Sequence, residues 1–407
     1  MRPAHDAPTP ALGIRPGTRR GTAGFFNVAR QADGRWTLLD PAEEPFFCKA
    51  VHGVTQAQLP GDAGWPRDSA ARLRGWGFNA LGAGDDGSVR PDGLPYLATV
   101  DFCRAGPPIV APGLRLPDVF AGDWPALAAA WAQTTCAPLT DTPELLGWVT
   151  DDAISWAGRP GGGRPSLLQI CLSLEPTFAA YHAAWEFVLA LHRGSLDAVA
   201  RAWGVVLNNK ETVRTMTRAE HGIATRGYAR DDARWSREFA QRYFATTSAA
   251  IRAVDPHHLL FGCRFEAGGG AASAAAPGPQ VVAACTYPAV DVTLRNWNEL
   301  PTNDAAGAQP VLADDVCWVD ETGARAVAKR RQPRLTTLER MLRRGRTGLE
   351  RMARHPAVVG YVWSRWQDEP GEQPPFARGL VHVNGNEARE HTELLASFNA
   401  RAETVRA

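Results

Sequence analysis

Gly147-Trp148-Val149-Thr150-Asp151-Asp152-Ala153-Ile154-Ser155-Trp156 is the stretch on which the reading of this chain turns. An apolar run of strand length stops at two acids, and the pattern returns as Gln309-Pro310-Val311-Leu312-Ala313-Asp314-Asp315. Buried strands ending in carboxylates suit a (β/α)8 barrel, in which the C-terminal ends of the strands form the reaction face. They also suit cleavage of a glycosidic bond, which needs two carboxyl groups facing each other across it.

Outward from these two segments the chain alternates strand-like and helix-like stretches. Gly24–Val28 and Arg35–Asp40 flank the turn-forming Asp33-Gly34, a hairpin signal. Pro45–Val54 reads as a first barrel strand and Gly77–Gly82 as a second, separated by a helical segment with Ala70, Leu73 and Trp76. Further apolar runs bounded by Gly, Pro or Asp fall at 96–102, 145–150, 259–265, 290–297, 311–316 and 358–366. Ser236–Val254 is the clearest helix, closed by Asp255-Pro256. The alternation predicts an α/β fold: a (β/α)8 TIM barrel with an N-terminal β-hairpin and a helical insertion after strand 4. Residues 1–22 are expected to form a disordered tail, and 23–407 one barrel domain with the insertion at about 166–234.

Composition limits the function classes. The formal charge of +1 gives no global field for nucleic acid or an anionic membrane, so a glycoside or oligosaccharide is the expected partner. Seven cysteines without a CxxC pair read as reduced and buried. His257-His258 has no metal-ligand spacing, and there is no GxSxG, P-loop or GxGxxG, so no metal or cofactor is expected. With no signal-peptide core and no bilayer-length apolar run, the expected location is cytoplasmic. Oligomeric state is not legible.

Several segments carry a family likeness: DGRWTLLDPAEEPFF, WGFNALG, PDVF at 117–120, GWVTDDAISW, YFATTSAAIRAVDPHHLLFGCRF, QPVLADD, GYVWSRWQDEP and GLVHVNG. In this order and spacing the chain resembles the agarase-like branch of clan-A glycoside hydrolases, from about Phe25 to the end. The resemblance implies a retaining mechanism with an acid/base glutamate after the fourth strand and a nucleophile after the seventh. The family's usual Asp-Asn-Glu falls on Asp151, Asp152 and Ala153, and its seventh-strand glutamate on Asp315. A methyl group therefore replaces the acid/base, and the nucleophile is one methylene shorter.

A wider carboxylate gap would suit inversion, with Asp152 or Asp151 as acid and Asp315 as base. Because strand neighbours point to opposite faces, one member of each pair should look inward. Asp314 reads as a turn or helix-cap residue, and Glu266 as a loop carboxylate. Fourteen tryptophans offer faces for sugar rings, and Trp363, Trp366, Trp156 and Trp297 sit at strand ends. The resemblance implies a tryptophan beneath the sugar in the last strand. His52, Asn79, Arg264, Asn296, Arg365 and Asp368 are candidate polar contacts. Two functions stay open: a glycoside hydrolase acting on a β-linked oligosaccharide, or a non-catalytic saccharide-binding pseudo-glycosidase. A lyase or transglycosylase is a third.

Overall fold

The computed structural model describes residues 13–56, 65–85, 87–90, 93–111, 114–152, 154, 156–157, 165–219, 221–265, 279–300, 309–318, 338–369 and 378–406. Ala153, Glu266 and residues 1–12 of the expected tail lie outside them. The chain forms a (β/α)8 barrel. Its strands are β1 (Cys48–Val51), β2 (Ala80–Leu81), β3 (Tyr96–Val100), β4 (Leu145–Thr150), β5 (Leu259–Gly262), β6 (Thr293–Asn296), β7 (Val311–Val316) and β8 (Val358–Trp363). They pair in parallel in one sheet that runs β5-β4-β3-β2-β1-β8-β7-β6. The seam between β5 and β6 is drawn together just ahead of β6, where the Asp291 and Val292 amides donate to Leu260 O at 2.7 and 3.1 Å. At the β1–β8 contact, a Cβ on Gly360 would lie 2.3 Å from Cys48 O, so the strands can approach closely only there without a side chain.

Side chains inside the barrel, including Ala50, Leu97, Leu146, Phe261, Leu312 and Val362, form one cluster with Phe26, Val28, Trp36 and Leu38. The last four come from the hairpin of Asn27–Arg30 and Trp36–Leu39, which is extended by Pro45–Phe46. Trp36 N donates to Pro356 O, just ahead of β8. The hairpin thus covers the N-terminal end of the barrel and leaves the other end as the mouth. Pro45–Phe46, expected within the first barrel strand, pairs instead with the hairpin. Residues 13–22, expected within the tail, make defined contacts. Ile14 bridges to Gln31 and Arg20 to Val28, while the Arg20 guanidinium lies 4.8 Å over the Trp36 ring and donates to Asp291 O.

A second, larger cluster fills the space between the sheet and the helices α1 (Trp65–Gly75), α2 (Trp124–Cys136), α3 (Leu167–Ser173), α4 (Ala179–Leu191), α5 (Leu196–Trp203), α6 (Glu211–Arg218), α7 (Arg226–Val254), α8 (Pro279–Ala284), α9 (Leu338–Arg354), α10 (Arg389–Asn399) and α11 (Ala402–Arg406). Helices α3 to α6 make up the insertion after β4. Helix α7 begins ten residues before the expected Ser236, because Thr225 caps it by accepting from the Tyr228 amide. All seven cysteines are buried and none forms a disulfide. Among the described residues, no helix is long and apolar enough to cross a membrane.

Candidate functional site

Two strand ends build the site, and both depart from regular strand geometry. The β7–β8 register slips between Ala313 and Val316, so β7 carries an extra residue at Asp314-Asp315, and Asp315 has φ 53°. At the end of β4, Asp151 has φ 56°. Aspartate tolerates the left-handed region better than most side chains, yet such a conformation costs on the order of 1–3 kcal/mol and persists where surroundings impose it. Bulges of this kind re-aim side chains next to functional sites.

Asp314 points into a buried ion cluster. Its Oδ1 lies 2.6 Å from His52 Nε2, and its Oδ2 lies 3.5 Å from Arg264 Nε. The other ring nitrogen of His52 donates to Ala83 O at 3.2 Å, so both nitrogens face oxygens that only accept. Burial pulls the Asp314 carboxyl up, but His52 and Arg264 outweigh it and hold it below the usual carboxylate range. Arg264, just after β5, donates from Nη1 to Asp152 Oδ1 at 2.6 Å. Burial opposes its charge, yet Asp314, Asp152 and Asp315 raise the guanidinium above its ordinary value. Asp314 is therefore not the cap or turn residue expected. Residues from the ends of β1, β4, β5 and β7 meet at this cluster.

Asp315 is 7% exposed and accepts from Ser364 Oγ at 2.6 Å. Burial, and then the neighbouring Asp314 charge, raise its carboxyl above the usual range. Asp152 is the open member, with its side chain 33% exposed. Asp151 turns away from Arg264 toward α7: Oδ1 accepts from the Cys103 amide at 2.9 Å and Oδ2 from the Tyr243 hydroxyl. Burial, reinforced by Asp101, pushes it up to about 8. At β4 one acid of the pair faces the cluster, as strand alternation predicts. At β7 the bulge sends Asp314 into the cluster and Asp315 to Ser364.

Asp151 and Asp152 line a cleft of about 690 Å³ with Thr99, Asp101, Cys103, Arg104, Arg115 and Ile154, among others. Ligand atoms of Asp101, Cys103 and Asp151 lie within 4.8 Å of one another, a spacing that a cation could bridge. They are committed internally, however: Asp101 pairs with Arg104 Nε at 2.9 Å, and Cys103 Sγ donates to Arg115 O.

The four tryptophans expected to face a sugar are each packed against protein neighbours. Trp156 packs edge-on to Phe239 and Tyr243 of α7. Trp297 lies against α9, where a Cβ on Gly348 would come 2.5 Å from its ring. Trp366 faces Trp76, and Trp363 packs edge-on to Trp318 with its N–H donated to Arg378 O. Every tryptophan except Trp131 is buried. Strand-end position alone does not separate a core indole from a ligand-facing one.

Several expected polar contacts are also structural. Asn79 accepts from Lys49 N and donates to Phe47 O, pinning β1 to β2 at the closed end. Asn296 caps the following turn by accepting from Asn298 N. Asp368 accepts from Gly379 N and pairs with His382 at 2.8 Å. Arg365 pairs with Glu369 at 2.8 Å. Sequence reasoning missed Asp314, Ser364 and Tyr243 as parts of the site. The adjacent acids were a usable signal for Asp314, but nothing local marks Ser364 or Tyr243.

No family model matches the chain. β-Agarase A of Vibrio sp. (strain JT0107) is 22% identical over 322 residues, covering 60% of this chain and 32% of that protein. The chain thus spans about a third of the length of this curated relative. Among solved structures, an exo-β-agarase superposes with TM-score 0.67 at 17% identity, covering 95% of this chain and 66% of that one. Another agarase gives TM-score 0.69 at 17% identity, covering 98% and 68%. The β-galactosidase of the psychrophilic Marinomonas ef1 gives TM-score 0.52 at 12% identity, covering 88% and 62%. At these identities the superpositions establish the fold, a barrel shared with agarases and other glycosidases.

Proposed function

We propose that the barrel mouth receives a β-linked saccharide and hydrolyses it with inversion, Asp315 serving as acid and Asp152 as base. The supporting observation is that carboxyl groups from the ends of β4 and β7 gather around Arg264 in opposite environments. Asp315 is buried beside a second acid and tends to hold its proton, whereas Asp152 is half-open and its carboxylate accepts from a guanidinium. Environments that separate two carboxyls in this way mark acid and base. The assignment reverses the roles expected from sequence.

In the reaction Asp315 gives its proton to the glycosidic oxygen as the C–O bond breaks. Asp152 takes a proton from the water that attacks the anomeric carbon on the opposite face. The product is a hemiacetal of inverted configuration. Both carboxyls then exchange protons with solvent to reset. Asp151 takes no part, since both its oxygens are used by Cys103 and Tyr243. The similarity to β-agarases supports a polysaccharide as the substrate class.

A second reading, saccharide binding without cleavage, is favoured by the Arg264 contact that occupies Asp152 and by Ala153 at the family's acid/base position. Hydrolysis of a panel of aryl β-glycosides and β-linked oligosaccharides separates the two. Under the proposal Asp315→Asn and Asp152→Asn each lower kcat by at least about 100-fold, and NMR of the first-formed product gives the inverted anomer. Saccharide binding with no turnover by the parent protein would establish the second reading instead.

A further inference from the structure

Helix α7 carries a cationic ridge that no part of the proposed reaction uses. Arg226, Arg230, Arg234 and Arg237 are all exposed. Their spacing of four, four and three residues keeps them on one face, over about 16 Å at a rise of 1.5 Å per residue. Among the described residues none of the four has an ion-pair or hydrogen-bond partner, whereas Arg242 and Arg252 farther along pair with Glu238 and Asp291. The acids of the same stretch are spent elsewhere: Asp231 on His192 and Trp203, Asp232 on Ser166 and the Leu168 amide.

This ridge works against the stability of its own helix. Arg226 and Arg230 stand in the first turns, where the helix dipole disfavours cations, and no acid occupies the first turn. Successive arginines four residues apart also repel each other. Four cations held so, unpaired, fit an anionic partner.

The course of α7 indicates which partner. Tyr243 reaches Asp151 at the end of β4, which sets that residue level with the mouth. The helix runs from the mouth toward the start of β5, so residues 226–237 extend beyond the mouth alongside the insertion. We infer that the α7 ridge binds the sulfate or carboxylate groups of an acidic polysaccharide whose chain continues from the barrel mouth. This rests on the saccharide reading above and narrows it to anionic chains.

Carrageenan oligosaccharides, native and chemically desulfated, are the probes, with a DNA duplex beside them and binding followed by calorimetry at low and high salt. The parent should bind the sulfated chains at least about tenfold more tightly than the desulfated ones, with the difference shrinking as salt rises. The variant with Arg226, Arg230, Arg234 and Arg237 all changed to Gln should lose that difference yet bind the desulfated chains as the parent does. Glutamine keeps the helix propensity, and circular dichroism confirms the fold. Equal parent affinity for both forms, or undiminished sulfate preference in the variant, would overturn the inference while leaving the saccharide reading intact. Failure to bind either form overturns the inference, and the glycoside panel above then decides the saccharide reading separately. Ridge-dependent binding of DNA in preference to sulfated saccharide overturns the choice of partner.

Discussion

The ends of β4 and β7 carry the same Asp-Asp pair, and the fold uses the two pairs in opposite ways. At β4 the first aspartate takes the left-handed backbone and is buried against α7, leaving the second half-open beside Arg264. At β7 the second takes that backbone, and the first enters the cluster with His52 and Arg264. The positive-φ residue is the fixed carboxyl at β4 but not at β7, so the partners around each strand end, and not the backbone alone, set which acid is held. Arg264 contacts one acid from each pair, so the two ends are one electrostatic unit.

Removing the shared cation tests that unity with the largest expected effect. Arg264→Met should leave Asp314 and Asp152 without their guanidinium and destabilise the protein by about 3 kcal/mol in urea denaturation. A loss below about 1 kcal/mol would mean the two strand ends are held independently.

Asp314→Asn comes next, at about 2 kcal/mol, since it weakens the buried contacts with His52 and Arg264. The matching change at β4, Asp152→Asn, should cost well under about 1 kcal/mol because that side chain is partly in solvent. Equal costs would erase the contrast. Asp314→Asn also removes a charge that raises Asp315, so the alkaline limb of any hydrolytic pH profile should move to lower pH.

How much of this contrast was legible in the sequence depends on the kind of signal. The barrel was readable because its strands are short apolar runs bounded by breakers, and hydrophobic burial acts on that pattern directly. The acid pairs were visible for the same reason, as charges ending an apolar run. The bulge at Asp314-Asp315 was not visible, because one extra residue relative to β8 is a relation between residues paired 47 or 48 positions apart in sequence. Tyr243 and Ser364 were hidden likewise, reaching their aspartates from positions 92 and 49 residues away in sequence. The packing of the tryptophans was not legible, because an indole at a strand end suits a sugar and a helix equally well until the helix is in place.

A pH experiment addresses the buried acid at β4. Asp151 has an ordinary value of 3.8 and is pushed up to about 8, so the folded state holds its proton more tightly than the unfolded chain does. Its contribution is fully present below pH 4 and declines as pH rises toward 8, because the fold must then keep a buried carboxyl protonated or accept its charge. Asp232, raised to about 6, adds a similar decline that ends sooner. Asp151→Asn should remove the decline between about pH 6 and pH 8 and roughly halve the slope below pH 6, where Asp232 still acts. Urea midpoints at pH 5, 6.5 and 8.5 measure this. An unchanged slope above pH 6 would show that Asp151 is not the group held neutral.

A further modest effect concerns the hydroxyl that secures Asp315. Ser364 Oγ donates to its carboxylate and thereby favours the ionised form, opposing the burial and the Asp314 charge that raise it. Ser364→Ala removes that donor, so the proton is held more tightly and the alkaline limb should shift upward, opposite to the shift from Asp314→Asn. The stability cost is about 1 kcal/mol, that of one buried hydrogen bond. Opposite displacements of one limb by two neighbours of the same carboxyl would tie that limb to Asp315. Displacement in the same direction would assign it to another group and move the acid from β7 to β4.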